Sequence, residues 1–271
     1  METKIQETQN QKEILFNKSH LLYVISFAVI LLIGLAIRFY DLTEAPLDFH
    51  PTRQLFSAIK ARGMYYEQLD TAPESKKEYA VQQWKDQGFI EPPVMERMSA
   101  TLYQLVGYEA LWIPRVLSII FWTIGGIFLF LVAQLMVDRN AAIFSFMLFM
   151  ITPYTAIASR AFQPDPLMVM LMIIGFWGLV RWNNQDNISN AIISGLFAGF
   201  AIFIKSVVIF PIAIAFSAVV IYKKRSFKSI LKSRSVWIMG LLSLMPYIGY
   251  MIYGLMINGA LTSEFSLLFF P

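Results

Sequence analysis

The sequence predicts an all-α, polytopic membrane protein with about seven transmembrane helices. The chain of 271 residues is 57% hydrophobic and only 15% charged, and its mean hydropathy is +0.56. Soluble domains are closer to roughly 45–50% apolar and about 25% charged. The hydrophobic residues also occur in long uncharged runs, which indicates membrane spans and not one large water-soluble core.

Seven uncharged runs approach the roughly 20 residues that a helix needs to cross a membrane. Only Lys205 separates the fifth run from the sixth. A single straight helix across both would be about 50 Å long, too long even for a tilted span. We therefore predict two helices that turn at Lys205. The runs are Leu21–Ile37, Val116–Val137, Ala141–Ser159, Pro166–Val180, Ile188–Ile204, Ser206–Tyr222 and Ser235–Ser263.

The distribution of basic residues predicts the orientation of the chain. The short stretch Lys223–Arg234 is the densest basic cluster and is expected to face the cytoplasm. Lys12 and Lys18 precede the first run and favour a cytoplasmic N-terminus. Both can be inside only if an even number of spans separates them, which supports the turn at Lys205. The predicted outer face holds residues 41–112, the loop 160–165, Lys205 and the chain after the last run.

The outer segment 41–112 is expected to form helices, because a loop of that length without structure is uncommon. Proline is well placed as a first helical residue, which predicts helices over Pro51–Tyr66 and Pro73–Gly88. A third amphipathic pattern covers Val94–Gly107. Amphipathic helices beside a membrane commonly lie in the interface plane. These helices either cap the bundle or help to build a site.

Asp48 and His50 lie just before the first outer helix. A carboxylate at a helix N-terminus is stabilised as the anion. That property suits a general base that must be ionised at neutral pH, although it equally suits a simple helix cap. His50 either relays a proton or forms a local hydrogen bond.

Four further candidates are charged side chains on the predicted outer face. Asp165 lies between two prolines that stiffen its turn, and the planar fork of Arg160 suits a phosphate. The alternative is an ion pair between these two residues. Lys205 is costly between two apolar runs unless it is paired or snorkels to the interface, which makes it a functional candidate. Glu91 is placed to contact a sugar, a cation or a basic residue.

Several classes of protein are excluded by composition and motifs. Cysteine is absent and there are only two histidines, which argues against disulfides and a zinc site. The sequence has no glycine-rich phosphate loop and no hydrolase or metalloprotease motif. The net charge of +4 is concentrated in one loop. It therefore indicates topology, and no nucleic-acid partner is expected.

The predicted order of segments resembles that of the GT-C glycosyltransferases. In that order, one span is followed by a large outer segment with acidic residues and interfacial helices, and then by many spans. Within them, the chain is similar to the family 39 branch, which includes protein O-mannosyltransferases and the aminoarabinose transferases that modify lipid A. The resemblance covers about residues 20–225. It is carried by Asp48–Tyr66, Glu91-Pro92-Pro93, Arg115–Ser118, Ala158–Ala161 followed by Asp165, and Gly195–Lys205 followed by Pro211.

The resemblance implies transfer of a sugar from a polyprenyl-phosphate donor to a glycan, lipid or protein acceptor, with inversion, on the outer face of a bacterial plasma membrane. It assigns catalytic roles to Asp48, as general base, and to Asp165, which positions the sugar or the acceptor. Lys205 and Arg160 would bind the phosphate, and Glu91 is a further substrate-binding candidate. No metal or other cofactor is required, because lysine and arginine supply the positive charge. We also expect His50 to bind substrate.

The sequence departs from this family at one pair of positions and in length. Many members place Asp-Glu directly after His-Pro, where this chain has Thr52-Arg53. Members are commonly longer, so the resemblance implies that this single helical domain corresponds to their N-terminal module. The alternative functions are a small-molecule transporter or flippase, for which we find no inverted repeat, and a non-catalytic membrane subunit.

Overall fold

The computed structural model describes residues 2–88 and 91–257, and in these residues all regular secondary structure is helical, as predicted. The twelve α-helices of the described residues are numbered in chain order. They are α1 Glu2–Phe39, α2 Pro51–Glu67, α3 Glu74–Lys85, α4 Val94–Val106, α5 Trp112–Met136, α6 Arg139–Ile151, α7 Pro153–Ala158, α8 Asp165–Asn184, α9 Ile188–Ile204, α10 Ile209–Lys224, α11 Phe227–Lys232 and α12 Arg234–Ile257.

Five helical segments in the described residues are long and apolar enough to cross a membrane. They are His20–Phe39, Trp112–Met136, Asp165–Asn184, Ser206–Lys224 and Arg234–Gly254. Two further apolar helices, α6 and α9, are shorter. Every uncharged run in the sequence therefore coincides with apolar helix. The end of the last run, beyond residue 257, lies outside the described residues.

The apolar helices pack side by side in the order α1, α6, α5, α8, α9, α12, and α10 packs against α8. Small residues allow the closest approaches between these helices. A Cβ atom at Gly178 would lie 2.7 Å from the backbone nitrogen of Ser194 on α9. A Cβ atom at Gly199 would lie 2.2 Å from the carbonyl oxygen of Leu242 on α12. Glycine therefore permits the close contact of α8 with α9, at Gly178, and of α9 with α12, at Gly199.

The expected single helix across Ala141–Ser159 is wrong, because the chain breaks at Pro153 between α6 and α7. Proline has no N–H group, so it leaves the carbonyl of Phe149 without its usual helical partner. Trp122 fills that role, since its Nε1 donates a hydrogen bond to the Phe149 oxygen at 3.1 Å. The break is thus stabilised by a side chain from α5.

The outer segment forms the three predicted helices, α2, α3 and α4, with ends close to those expected. Helix α2 packs against both α3 and α4, and α4 contacts the start of α5. Tyr65 and Tyr103 meet edge to face with ring centroids 5.9 Å apart, which joins α2 to α4. Gly63 of α2 lies against Trp84 of α3. This subdomain is therefore attached to one end of the bundle.

The predicted outer and inner loops lie at opposite ends of the helices. Lys205 follows α9 and contacts Asp165 at the start of α8, whereas Lys223 at the end of α10 donates to the carbonyl of Asn183 at the end of α8. Helices α8 and α10 are 20 and 16 residues long, so roughly 25–30 Å separates their ends at 1.5 Å per residue. The turn predicted at Lys205 is confirmed.

Candidate functional site

A cavity of about 390 Å³ opens at the end of the bundle that carries α2. Its polar lining comes from separate parts of the chain: the loop before α2, the first turn of α2, the loop before α8 and the turn after α9. Its apolar lining includes Trp122 of α5 and Tyr154 of α7. The polar lining residues are His50, Arg53, Gln163, Asp165 and Lys205.

Asp165 and Lys205 form the central ion pair of this cavity. The Lys205 Nζ atom lies 2.9 Å and 3.1 Å from the two carboxylate oxygens of Asp165. Both side chains are about one-third exposed, at 35% for Asp165 and 29% for Lys205. Asp165 is the first residue of α8, where the helix dipole stabilises a carboxylate. A ligand in the cavity can therefore reach both charges.

Glu91 extends this pair into a chain of alternating charges. Its carboxylate forms an ion pair with Arg53 and lies 3.9 Å from the Lys205 Nζ atom. Burial raises the pKa of Glu91, and the nearby Arg53 and Lys205 offset only part of that effect. From contact to contact, the four side chains follow the order Arg53, Glu91, Lys205, Asp165, so that positive and negative groups alternate in space.

Asp48 belongs to a second cluster and does not line the cavity. One of its carboxylate oxygens lies 3.0 Å from Arg115 and 3.1 Å from Arg160. Arg115 is fully buried and also donates to the carbonyls of Leu42 and Glu44. Arg160 contacts Asp48 and not Asp165, so the ion pair considered from the sequence is not formed. Asp48 therefore anchors two arginines, and its role as a base stays a prediction.

The loop before α2 is held against the cavity by one amide side chain. Gln54 is fully buried and donates to the carbonyls of Phe49 at 2.6 Å and Pro46 at 3.2 Å. Its oxygen accepts a hydrogen bond from the backbone N–H of Phe162 at 2.9 Å. His50, between Phe49 and the helix, has a left-handed backbone with φ of 45°. Strained backbone of this kind recurs at functional sites.

The structure brings together three of the six predicted site residues at the cavity: His50, Asp165 and Lys205. Glu91 contacts Lys205 from beside the cavity, while Asp48 and Arg160 form the second cluster. Sequence reasoning missed Arg53 and Gln163 as lining residues. Arg53 stands out in the sequence only as a basic residue near Asp48, and Gln163 has no signal of its own.

In the described part of the chain, no group of three histidine, aspartate and glutamate side chains is arranged to hold a metal ion.

The family of this helical chain, and with it the GT-C glycosyltransferase class, follows from a match to a family model. The family model for dolichyl-phosphate-mannose-protein mannosyltransferase matches residues 90–253, which is more than half of the chain. The chain belongs to this family. The matched region contains Glu91, Arg160, Asp165 and Lys205, whereas Asp48 lies before it. No curated protein and no solved structure matches the chain.

Proposed function

We propose that the chain transfers a sugar from a polyprenyl-phosphate donor to an acceptor hydroxyl in the cavity on the predicted outer face. Family membership supports a glycosyltransferase. The observation that carries the proposal is that Asp165, Lys205 and Arg53, from three separate segments, line one cavity. A carboxylate beside two cations suits a reaction that removes a proton and releases a phosphate.

The reaction is a single displacement at the anomeric carbon. The acceptor O–H bond breaks and its proton passes to a carboxylate of the protein, while the oxygen forms a bond to the anomeric carbon. The bond from that carbon to the phosphate oxygen breaks, and its electron pair leaves with the polyprenyl phosphate. Because the two oxygens lie on opposite sides of the carbon, the configuration is inverted. Lys205 stabilises the charge that grows on the phosphate.

We assign the role of base to Asp165 in place of Asp48. Asp165 lines the cavity and has one lysine partner, which the incoming phosphate can attract. Asp48 lies between two arginines and has no share in the cavity lining. Both arginines contact one carboxylate oxygen of Asp48, and the other oxygen lies 3.5 Å from the Gln54 amide nitrogen, so both oxygens already have partners within the protein.

The apolar part of the cavity suits the lipid tail of the donor. Trp122, Val169 and Tyr154 line this part, and Tyr154 is 69% exposed on the bundle surface. Tyr154 belongs to α7, directly after the break at Pro153. A polyprenyl chain entering beside α7 would bring its phosphate toward Lys205 without crossing the subdomain formed by α2, α3 and α4.

A transfer assay with the purified protein and a panel of labelled polyprenyl-phosphate sugars tests the proposal. General base catalysis contributes about 10²–10⁴-fold, so Asp165→Asn is expected to lower the turnover number by at least about 100-fold while the protein stays folded. The matched control is Asp186→Asn, which breaks a comparable ion pair with Lys224 at the other end of the bundle. The control variant keeps its activity.

Asp48→Asn separates the two assignments of the base. If Asp165 is the base, Asp48→Asn reduces thermal stability and retains measurable transfer, because it disturbs the buried Arg115 and the partly buried Arg160. If Asp165→Asn stays active and Asp48→Asn alone abolishes turnover, our assignment is wrong. If no donor in the panel supports transfer by the wild-type protein, the glycosyltransferase proposal itself fails.

A further inference from the structure

We propose that Arg53 is a second phosphate-binding residue of the cavity and that Glu91 is an internal counter-ion that competes with the donor phosphate for Arg53 and Lys205. This inference rests on the proposed function, since it assumes a phosphate-bearing lipid in the cavity.

The contacts of Glu91 are the first support. Its carboxylate contacts Arg53 and Lys205, and both of those cations line the cavity. Glu91 itself is absent from the lining, and its side chain is only 14% exposed. The two cations are therefore held from behind by a protein anion and face the cavity on their other side.

The second support is the geometry of Arg53. Its guanidinium carbon lies 5.3 Å from the centre of the Phe56 ring on the same helix, and its side chain is 22% exposed. The ring limits the positions that the guanidinium can adopt, so that it is already oriented for a ligand. A guanidinium can donate to two phosphate oxygens at once, whereas the Lys205 ammonium acts as a point charge.

The third support is the balance of charge during the reaction. Arg53, Glu91, Lys205 and Asp165 carry no net formal charge together, so a phosphate adds negative charge to a neutral group. The donor is a phosphodiester with one negative charge, and the released phosphate monoester approaches about −1.5 to −2 at pH 7. A second cation is therefore needed most when the sugar–phosphate bond breaks.

The ion pairs of Glu91 hold Arg53 and Lys205 in place before a donor binds. A partly buried cation without a partner is costly, and Glu91 offsets that cost for Arg53 before a donor binds. The carboxylate is itself incompletely compensated, because burial keeps its pKa raised despite both cations. The donor phosphate therefore competes with the Glu91 carboxylate for contact with Arg53 and Lys205. Removing the charge of Glu91 is expected to strengthen phosphate binding.

Binding of undecaprenyl phosphate to the full chain in nanodiscs tests this inference separately from sugar transfer. We expect Arg53→Gln to weaken binding at least about tenfold and Arg53→Lys to weaken it less. Glu91→Gln is expected to tighten binding several-fold. The matched control is Arg62→Gln, which removes an arginine of the same helix that pairs with Glu109 and lines a different cavity. Arg62→Gln binds like the wild type.

Undecaprenol, which has the same tail without the phosphate, shows whether a variant remains folded. All variants are expected to bind undecaprenol equally, so that a change confined to undecaprenyl phosphate reports on the phosphate site. The inference is overturned if Glu91→Gln weakens binding of undecaprenyl phosphate while undecaprenol binding is kept. It is also overturned if Arg53→Gln binds like the wild type.

The two proposals fail in different ways. If Arg53→Gln leaves binding unchanged but Asp165→Asn abolishes transfer, the glycosyltransferase function stands and the role of Arg53 is wrong. If binding depends on Arg53 and Glu91 as described but no sugar is transferred, the phosphate site stands and the proposed function is wrong.

Discussion

Arg38 is a positively charged residue buried within an apolar membrane-length helix, and its surroundings show how the fold accommodates that charge. It is fully buried near the end of α1, and the partners recorded for its guanidinium in the described residues are all uncharged. It donates instead to Ser159 Oγ at 2.6 Å and to the carbonyls of Gly34 and Met150 at 2.8 Å and 2.6 Å. The Met150 carbonyl belongs to the last turn before the break at Pro153.

Replacing Arg38 by methionine tests this role. Arg38→Met leaves the Met150 carbonyl and the Ser159 hydroxyl without a donor, at a cost of about 1–3 kcal/mol for each buried group. The free energy of unfolding in mixed micelles is expected to fall accordingly. Arg139→Met, at the exposed first residue of α6, is the control and should change it by less than about 0.5 kcal/mol. An equal effect of both variants would contradict the role of Arg38.

Charged residue types were visible in the sequence, but their partners were not. Asp165, Lys205 and Arg160 were all identified, and the first two do meet at the cavity. The choice between Asp48 and Asp165 as the partner of Arg160 depends on how the loop before α2 lies against the loop before α8, and local spacing contains no such information. The buried contacts of Arg115 and Gln54 were hidden for the same reason.

Among the helices, the most reliable prediction came from long apolar runs and from prolines at helix starts. The run Ile188–Ile204 corresponds to α9, and Pro51 opens α2 as expected. The break at Pro153 was not predicted, although the proline was visible. An apolar run has the same hydropathy whether it forms one straight helix or two helices separated by a break. Side chains far away in the sequence stabilise the break, because Trp122 and Arg38 donate hydrogen bonds to the carbonyls of Phe149 and Met150.

The close contact between α9 and α12 predicts that adding one methyl group at Gly199 lowers the stability of the protein. Gly199→Ala places a carbon 2.2 Å from the Leu242 oxygen, which requires the helices to separate. Overpacking of this kind typically costs about 1–3 kcal/mol, and thermal unfolding in detergent measures it. Gly249→Ala on α12 is the control, because nothing lies within 4 Å of its Cβ position. A melting temperature unchanged in Gly199→Ala would show that this interface is loose.

For the whole molecule, the arrangement of two charged ends predicts which residues are accessible from each side of a membrane. The cavity lies at one end, and the basic stretch Lys223–Arg234 lies at the other. The family assignment and the long apolar helices establish a membrane protein. The side that faces the cytoplasm is still a prediction from the basic residues.

The lack of cysteine makes that prediction simple to test. Asp70 and Lys228 are both exposed, one in the outer segment and one in the basic stretch. A membrane-impermeant maleimide is expected to label Asp70→Cys in intact cells and to label Lys228→Cys only after the membrane is permeabilised. Equal labelling of the two variants in intact cells would contradict an odd number of spans between them.

The short helix α6 has a consequence for the surrounding lipid. Its 13 residues extend only roughly 20 Å, whereas the hydrocarbon layer is about 30 Å thick. Hydrophobic mismatch of this kind is relieved when the bilayer thins locally. Such thinning would occur beside α7 and Tyr154, which lines the cavity, and it would shorten the distance that a lipid-borne phosphate must travel to reach Lys205.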